Sequence, residues 1–262
     1  MISIRKIFYG PAQGWVVYMF LTCLLAACQE NHVKKIRIAT AANMAYTMEE
    51  LIIDYAAKSG LEFELVVGSS GKLTAQILEG APYDIFVAAN MKYPEAVFDG
   101  GKALGSPKVY ANGQLVLWSM SENITVSIDE LSNSQIEYIA LANPKTAPYG
   151  VAAMEVMQHY GLYEFLGPKL VYGESIGQTD QFIFSKAAQI GFTALSSVLS
   201  PEMRGKGRWV LIDPSIYANI SQGVVLVDRK GDNNPKAQGF YDFLFSKEAK
   251  EVLKEFGYLV NE

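Results

Sequence analysis

Four predicted strands each run into a short turn of polar or small residues, and a helix is predicted to begin at each turn. The turns contain Ala42-Asn43, Ser69-Ser70, Pro148-Tyr149 and Ser175-Ile176. The N-terminus of a helix leaves backbone N–H groups unpaired and carries about half a positive charge, so each turn is a potential anion site. None of these residues is an acid. If the four turns converge, they would hold an anion with neutral hydrogen-bond donors.

The elements before these turns predict an α/β protein. Apolar strands are expected over 36–39, 63–67, 139–142 and 170–172, and each leads into residues with helical character. Strands that alternate with helices form parallel sheets covered on both faces, and ligands bind at the carboxyl ends of such strands. All four turns lie at that end.

The order of the elements predicts two lobes with a cleft between them. A second block of strands begins near Leu115, after a loop rich in glycine, proline and lysine over 100–108. The last predicted strand, Val224–Val227, and two tail helices most simply return to the first block. We therefore expect two lobes, each a mostly parallel sheet flanked by helices: lobe I from residues 35–113 plus 222–262, and lobe II from residues 114–221.

Each turn, taken alone, also has an ordinary structural interpretation. Asn43, Ser70 and Ser175 are good N-cap residues, and Pro148 is common in the first turn of a helix. A single turn of this kind is more often a cap than a ligand contact. Four helix starts, two in each predicted lobe and none with an acid, favour the anion site instead.

One motif favours a different class, a serine hydrolase. Residues 173–177 read Gly-Glu-Ser-Ile-Gly, which fits the G-x-S-x-G turn with Ser175 as a nucleophile between a strand and a helix. The catalytic triad of that fold requires a histidine after the serine, but His32 and His159 both precede Ser175. The hydrolase is therefore a remote alternative, and we expect that the protein is not an enzyme.

The composition argues against several other classes of protein. The chain of 262 residues has a formal net charge of −5 and no basic stripe, which argues against nucleic-acid binding. Its two cysteines and two histidines form no cluster, so a zinc or iron site of these ligands is not expected, and we predict no cofactor. A receptor for ferric ion would need tyrosines and carboxylates clustered at the cleft, and the four turns offer no such pair.

The first 28 residues have the pattern of an export signal. The basic pair Arg5-Lys6 precedes an apolar stretch, 15–27, that is too short for a membrane-spanning helix. The stretch ends in Leu25-Ala26-Ala27-Cys28, which resembles the lipobox of bacterial lipoproteins. We expect a lipoprotein-type signal peptide over residues 1–28, a lipid on Cys28 that holds the protein on a membrane, and a linker over 29–34. The alternative is an ordinary signal peptide with an incidental cysteine.

Several segments together resemble the molybdate-binding proteins of molybdate ABC transporters. These segments are Ala39–Asn43, Gly68–Leu73, Gly80–Phe86, Asn143–Gly150, Gly191–Ser196 and Phe240–Leu244. The similarity extends from about Lys35 to Tyr258. It implies the two-lobe periplasmic-binding-protein fold, with two α/β lobes joined by hinge strands. It also implies an exported monomer, in the periplasm or at the cell surface, that captures molybdate or tungstate and delivers it to the permease of an ABC transporter.

The resemblance further implies which residues contact the ion. These are Asn43, Ser70, Tyr149 and Ile176, with Ala42 and Ser69 as additional candidates. Ser70 is expected to offer its hydroxyl and its amide, and Tyr149 and Ile176 their backbone N–H groups. Molybdenum would be bound only as the oxyanion, through these residues. Some relatives add a tyrosine hydroxyl near the end of a later strand, where this chain has Ala194.

The chemistry of the ion agrees with a site of neutral donors. Molybdate and tungstate are fully ionised tetrahedral dianions at neutral pH, so they only accept hydrogen bonds. Hydrogen phosphate keeps a proton and favours a site with a carboxylate, and Asp180, one helical turn after Ile176, is the acid to examine for that role. Sulfate has the same charge and shape and is smaller. A sulfate- or phosphate-type receptor is therefore the main alternative.

Overall fold

The computed structural model describes residues 35–260, which form two five-stranded sheets flanked by helices and belong to one structural unit, Lys35–Glu262. The predicted signal peptide, Cys28 and the linker 29–34 lie outside the described residues. The strands are β1 Ile36–Ala41, β2 Phe63–Gly68, β3 Ile85–Ala88, β4 Lys108–Gly113, β5 Leu115–Ser119, β6 Ile139–Ala142, β7 Leu170–Gly173, β8 Ile190–Ala194, β9 Arg208–Leu211 and β10 Ile220–Leu226. The α-helices are α1 Ala45–Ser59, α2 Ser70–Leu78, α3 Lys92–Asp99, α4 Pro148–His159, α5 Tyr163–Leu166, α6 Ile176–Phe184, α7 Leu195–Leu199, α8 Ala237–Phe243 and α9 Lys247–Glu255.

Each sheet contains four strands in one direction and one reversed strand. The first sheet has the order β2-β1-β3-β10-β4, and the second has the order β7-β6-β8-β5-β9. The three strands at the start of each order are parallel, whereas β10 and β5 run antiparallel to both of their neighbours. The predicted fold class is confirmed. Below, lobe I denotes the first sheet with its helices, and lobe II denotes the second sheet with its helices.

The central strands are apolar because helices cover both of their faces. Every residue of β3 and of β6 is buried, as is typical of parallel strands in α/β proteins. Behind the first sheet, the ring of Phe240 packs against those of Tyr55 and Phe63, with centroid distances of 5.4 and 5.0 Å. Trp118 is fully buried in the second sheet. These cores fix the carboxyl ends of the strands, where the predicted turns lie.

The chain crosses between the lobes next to the two reversed strands. Only Gln114 separates β4 in the first sheet from β5 in the second, and the chain returns from β9 to β10 through a 3₁₀ turn, Pro214–Ile216. A strand that arrives from the other lobe enters its sheet at the cleft, beside the carboxyl ends of the parallel strands. It must therefore run antiparallel to them, which explains why β5 and β10 are the reversed strands.

The sequence patterns do not predict β4. The sequence predicts a loop over 100–108 and no strand between this loop and Leu115, whereas Lys108–Gly113 is a strand. The segment has only a short apolar run, so its local signal is weak. Its pairing partners are β10 and the isolated bridge at Leu259, both more than 100 residues away in the chain. Tertiary pairing therefore decides the conformation of β4.

The alternative interpretation of the turn residues as helix caps holds at one turn and fails at two. The Ser175 Oγ accepts a hydrogen bond from the Gln178 N–H and caps α6. Helix α2 is capped by Ser69 instead of Ser70, because the Ser69 Oγ accepts from the Lys72 N–H. Asn43 caps no helix and lies inside a 3₁₀ turn, Ala42–Met44. The side chains of Asn43 and Ser70 have distant tertiary partners instead, which the local pattern does not reveal.

Candidate anion site

The first turn follows β1 and positions a buried asparagine. The 3₁₀ turn Ala42–Met44 leads directly into α1, and Asn43 is almost fully buried within it. The Asn43 Nδ2 donates to the Gln222 Oε1 at 2.8 Å and to the Tyr258 hydroxyl at 3.0 Å. Both hydrogens of the side-chain amide are therefore used inside the protein. What this residue retains for a ligand is its backbone N–H.

The second turn presents one serine hydroxyl and one backbone amide. The Ser70 Oγ accepts a hydrogen bond from the Ala89 N–H at 3.0 Å, so its own O–H hydrogen is left for another acceptor. The Gly71 N–H donates to the Thr146 carbonyl at 2.9 Å, and the Lys72 N–H donates to the Ser69 Oγ. In the first turn of α2, the described residues supply no hydrogen-bond partner for the N–H of Ser70.

The third turn, at the start of α4, leaves a single amide for a ligand. Pro148 has no N–H, and the Gly150 N–H donates to the Ala147 carbonyl at 3.0 Å. The Tyr149 N–H between them has no hydrogen-bond acceptor within residues 35–260. Gly150 is required here by close packing, since a Cβ would lie 2.0 Å from the Ala142 carbonyl oxygen. The helix can therefore approach the end of β6 closely.

The fourth turn is arranged in the same way. Ser175 accepts the N–H of Gln178 with its hydroxyl and the N–H of Thr179 with its carbonyl. Only the Ile176 and Gly177 N–H groups at the start of α6 then lack an acceptor among the described residues. The predicted residues Ser70, Tyr149 and Ile176 are thus the positions where the first turns of α2, α4 and α6 leave a free amide.

Direct contacts join the turns of the two lobes. The Gly71 N–H to Thr146 carbonyl bond joins the start of α2 to the residues before α4. The Thr146 Oγ1 donates to the Glu174 carbonyl at 3.4 Å, which joins the third turn to the fourth. A Cβ on Gly177 would lie 3.8 Å from the Cβ of Ala42, so the fourth turn contacts the first.

A chain of hydrogen bonds inside lobe I joins the first and second turns. It runs from Asn43 to the Gln222 side chain, then from the Gln222 Nε2 to the Ala89 carbonyl at 3.1 Å, and from the Ala89 N–H to Ser70. The four turns therefore form a closed ring of contacts. The structure brings together all four predicted contact residues, with Ala42 and Ser69 beside them. Asn43, Ser69, Ser70, Tyr149 and Ile176 are all buried.

The Tyr149 hydroxyl lies at the hinge. A Cβ on Gly113, at the end of β4, would lie 2.1 Å from this hydroxyl oxygen, so the glycine makes room for the tyrosine of the opposite lobe. Burial raises the pKa of Tyr149 well above its usual value, and the hydroxyl keeps its proton. Ala194, where some relatives have a tyrosine, is buried at the end of β8 and offers only a methyl group.

The charged groups near the turns lie at the rim or behind a helix. Lys72 of lobe I and Glu174 of lobe II form an exposed ion pair at 2.8 Å, which contributes little to stability. The carboxyl of Asp180 is buried, and its Oδ1 accepts a hydrogen bond from the Thr193 Oγ1 within lobe II. Burial raises the pKa of Asp180 to about 7, against the opposing hydrogen bonds of Thr193 and Ser197.

The hydrolase alternative gains no support from the geometry. The Ser175 hydroxyl caps α6, and His159 lies at the far end of α4 with its ring 5.1 Å from that of Tyr160. His32 lies outside the described residues. Between residues 35 and 260, no three His, Cys, Asp or Glu side chains are grouped closely enough to hold a metal ion. The helices in this part of the chain include none that is long and apolar enough to cross a membrane.

Comparison with known proteins identifies the family. A profile of the bacterial extracellular solute-binding proteins matches residues 36–259. The chain belongs to this family. It is 37% identical to the molybdate-binding protein ModA of Rhodobacter capsulatus over 84% of this chain and 86% of that protein. It is 36% identical to ModA of Azotobacter vinelandii, over 89% of this chain and 93% of that protein.

A solved structure agrees with these relationships. The periplasmic molybdate-binding protein of Azotobacter vinelandii superposes with a TM-score of 0.81 at 32% sequence identity, over 87% of this chain and all of that one. The resemblance to the molybdate-binding proteins noted in the sequence is confirmed. The family's solute-binding role also agrees with four adjoining turns that leave backbone N–H groups without acceptors among the described residues.

The buried carboxyl of Asp180 predicts a loss of stability with rising pH. Its pKa of about 7 in the folded protein lies above the ordinary 3.8, so the folded state holds this proton more tightly than the unfolded chain does. This proton therefore makes its full contribution to the free energy of unfolding below about pH 4. As the pH rises to 7 the contribution disappears, and the free energy of unfolding falls by on the order of 4 kcal/mol. Asp180→Asn should remove this part of the decline in urea unfolding between pH 4 and pH 7.5.

The matched control is Asp99→Asn, because Asp99 is exposed. This variant should follow the wild-type pH dependence. If Asp180→Asn and Asp99→Asn gave the same curve, Asp180 would not hold a proton in the folded protein.

Proposed function

We propose that this protein captures molybdate, and also tungstate, between its two lobes and delivers the ion to the permease of an ABC transporter. The observation that carries the proposal is the meeting of four turns whose unpaired donors are neutral and which contain no carboxylate. A fully ionised dianion needs donors only, and backbone N–H groups at helix starts favour negative charge. The similarity to the two ModA proteins, at 37% and 36% identity, supports the same ligand.

The proposed donors come from both lobes, so binding favours the closed arrangement. The backbone N–H groups of Asn43, Ser70, Tyr149 and Ile176 and the Ser70 hydroxyl contact the ion, with Ala42 and Ser69 at its edge. Each charge-assisted hydrogen bond contributes about 1.5–3 kcal/mol net. Five or more of these bonds are compatible with micromolar or tighter affinity after the cost of association. Closure of the lobes would then create the surface that the permease reads.

The remaining parts of the proposal concern the molecule as a whole. We place the lobe borders at Gly113/Gln114, beside the first crossing, and at Ser221/Gln222, two residues inside β10, the strand that follows the second crossing. The protein acts as a monomer and not as an enzyme, because the single composite site is completed within one chain and the Ser175 hydroxyl serves as a cap. It works outside the cytoplasm, held on a membrane by a lipid on Cys28.

Molybdate should stabilise the protein against unfolding. At a free concentration of about 100 times Kd, a ligand that binds only the folded state adds roughly 2.7 kcal/mol, which raises Tm by several degrees. Tungstate should act similarly, because its charge and shape are the same. The measurement is a thermal unfolding series with titration calorimetry for molybdate, tungstate, sulfate and phosphate. If sulfate or phosphate bound and neither molybdate nor tungstate did, the proposed ligand would be wrong.

Ser70→Ala should weaken molybdate binding by about 1–3 kcal/mol, since it removes a hydroxyl donor at a buried site. The same change leaves the Ala89 N–H without its acceptor, so some stability is lost as well. Calorimetry should therefore be done at a temperature where the variant is folded.

The control for this variant is Ser246→Ala. Ser246 caps α9, where its Oγ accepts the Ala249 N–H at 3.1 Å, so the control also removes one serine-to-amide bond. It should lower the stability by about 1 kcal/mol and leave Kd unchanged. Equal affinities for Ser70→Ala and the wild type would remove the Ser70 hydroxyl from the site.

The lipid anchor predicts a specific mass for the exported protein. Transfer of a diacylglyceryl group to the Cys28 sulfur through a thioether bond, and cleavage before Cys28, should give a mature chain that begins at Cys28 and carries this group. Intact-mass analysis of protein recovered from the membrane fraction measures this directly. The variant Cys28→Ala should lose the added mass and the membrane association. An unmodified Cys28 in the exported wild-type protein would contradict the anchor.

A further inference from the structure

A buried hydrogen-bond network lies behind the first turn, on the side of the hinge. Its members are Asn43 from the 3₁₀ turn, Gln222 from β10, Tyr258 from the C-terminal segment and Ser196 from α7. All four residues are buried. The first three belong to lobe I, whereas Ser196 belongs to lobe II. The network therefore crosses the cleft at the point where the lobes are joined.

Two backbone carbonyls fix the orientation of the amides in this network. The Gln222 Nε2 lies 3.1 Å from the Ala89 carbonyl oxygen and 3.0 Å from that of Ile220, so both of its hydrogens are donated to acceptors that cannot donate in return. Its Oε1 must then face Asn43, which has to present its own Nδ2 at 2.8 Å. The second hydrogen of that Nδ2 goes to the Tyr258 hydroxyl. The Asn43 side chain consequently has no hydrogen left for an anion.

Asn43, Tyr258 and Ser196 form a closed ring of three hydrogen bonds. The Asn43 Nδ2 donates to the Tyr258 oxygen at 3.0 Å, and the Tyr258 hydroxyl donates to the Ser196 Oγ at 3.0 Å. The Ser196 hydroxyl donates to the Asn43 carbonyl at 2.7 Å. The Tyr258 hydroxyl also lies 2.9 Å from the Asn43 carbonyl oxygen, so its single hydrogen has two acceptors within reach. When it is donated to Ser196, the three bonds of the ring run in the same direction, an arrangement in which neighbouring bonds strengthen one another.

The C-terminal segment that carries Tyr258 is fixed to the hinge on both sides of the crossing. Leu259 exchanges two backbone hydrogen bonds with Asn112 of β4, at 2.7 and 2.9 Å. The Gln114 Nε2, at the crossing itself, donates to the Gly257 carbonyl at 2.7 Å. Gly257 has a positive φ of 78°, and a Cβ there would lie 2.5 Å from the Leu195 side chain of α7. The segment therefore contacts both lobes where they must rotate against each other.

We propose that Tyr258 is a positioning residue for the anion site, whose hydroxyl joins the first turn of lobe I to Ser196 of lobe II and so aligns the Asn43 backbone N–H with the ion when the lobes close. This inference rests on the proposed function. The hydroxyl is suited to the role because burial raises the pKa of Tyr258 above its usual value, so it remains a donor at physiological pH. In this proposal the Asn43 backbone N–H donates to the ion, while its side-chain Nδ2 donates to Tyr258 within the ring of three hydrogen bonds.

The test is Tyr258→Phe, which keeps the aromatic packing and removes only the hydroxyl. Its Kd for molybdate, measured by calorimetry at 25 °C where the variant is folded, should rise by about tenfold, because the buried Asn43 and Ser196 groups lose a partner in the closed state. The dissociation rate should account for most of the rise. Small-angle scattering should show a less compact protein at equal saturation with molybdate, which a mere loss of folding stability would not produce.

Two further variants make the test specific. Ser196→Ala breaks the same ring from lobe II and should raise Kd by a similar factor. The double variant should bind little worse than either single variant, since the ring can be broken only once. Tyr110→Phe is the matched control, because the described residues supply no hydrogen-bond partner for the buried Tyr110 hydroxyl. It should leave Kd unchanged.

The possible results separate this inference from the proposed function. If the wild type binds molybdate and Tyr258→Phe binds within twofold of it, the positioning role is wrong and the proposed function stands. If the effects of Tyr258→Phe and Ser196→Ala multiply to about a hundredfold, the two hydroxyls act independently and the ring is wrong. If the wild type binds neither molybdate nor tungstate, the proposed function fails. In that case the ring can still be tested by urea unfolding of the ligand-free variants. If the stability losses of Tyr258→Phe and Ser196→Ala add up in the double variant, the ring is wrong.

Discussion

The arrangement of this protein depends on backbone N–H groups that its own fold leaves unpaired. Buried backbone donors are costly when they lack an acceptor, so folded proteins satisfy nearly all of them. In the first turns of α2, α4 and α6, all but one or two backbone N–H groups of each turn have an acceptor. Serine caps accept some of them, Pro148 has no N–H to satisfy, and the Gly71 N–H donates to a carbonyl of the other lobe. The remaining amides meet in one region. A ligand that only accepts hydrogen bonds is the complement of such a surface.

The unpaired N–H groups lie at helix starts of both lobes, so the site is made of two halves. Each lobe positions two of the turns at the carboxyl ends of its parallel strands, and each sheet receives one reversed strand from the hinge. The contact from Gly71 to Thr146 and the ring through Ser196 form only when the lobes are together. In this structure the turns that carry the donors are therefore held together by contacts between the two lobes. A small anion at the centre would accept hydrogen bonds from donors of both lobes.

The sequence predicted the architecture well because its signals are local. Apolar runs such as Ile85–Ala88 and Ile139–Ala142 mark strands buried on both faces, and their alternation with helical stripes indicates the α/β class. The motif-bearing turns were also located correctly, since a strand that ends in small polar residues leaves a strong local pattern. The strand β4 was missed because its partners, β10 and Leu259, come from distant parts of the chain.

The sequence by itself determined the two α/β lobes, the four helix starts and the neutral chemistry of their side chains, since these follow from periodicity and residue type. The tertiary structure decided which donors remain free. From the sequence alone, the Asn43 side chain could be a helix cap or a ligand contact, but it donates both of its amide hydrogens, to Gln222 and to Tyr258. Ser70 gives up its role as a cap to Ser69 and instead accepts the Ala89 N–H. These assignments depend on partners up to 215 residues away, and a hydrogen can be donated only once.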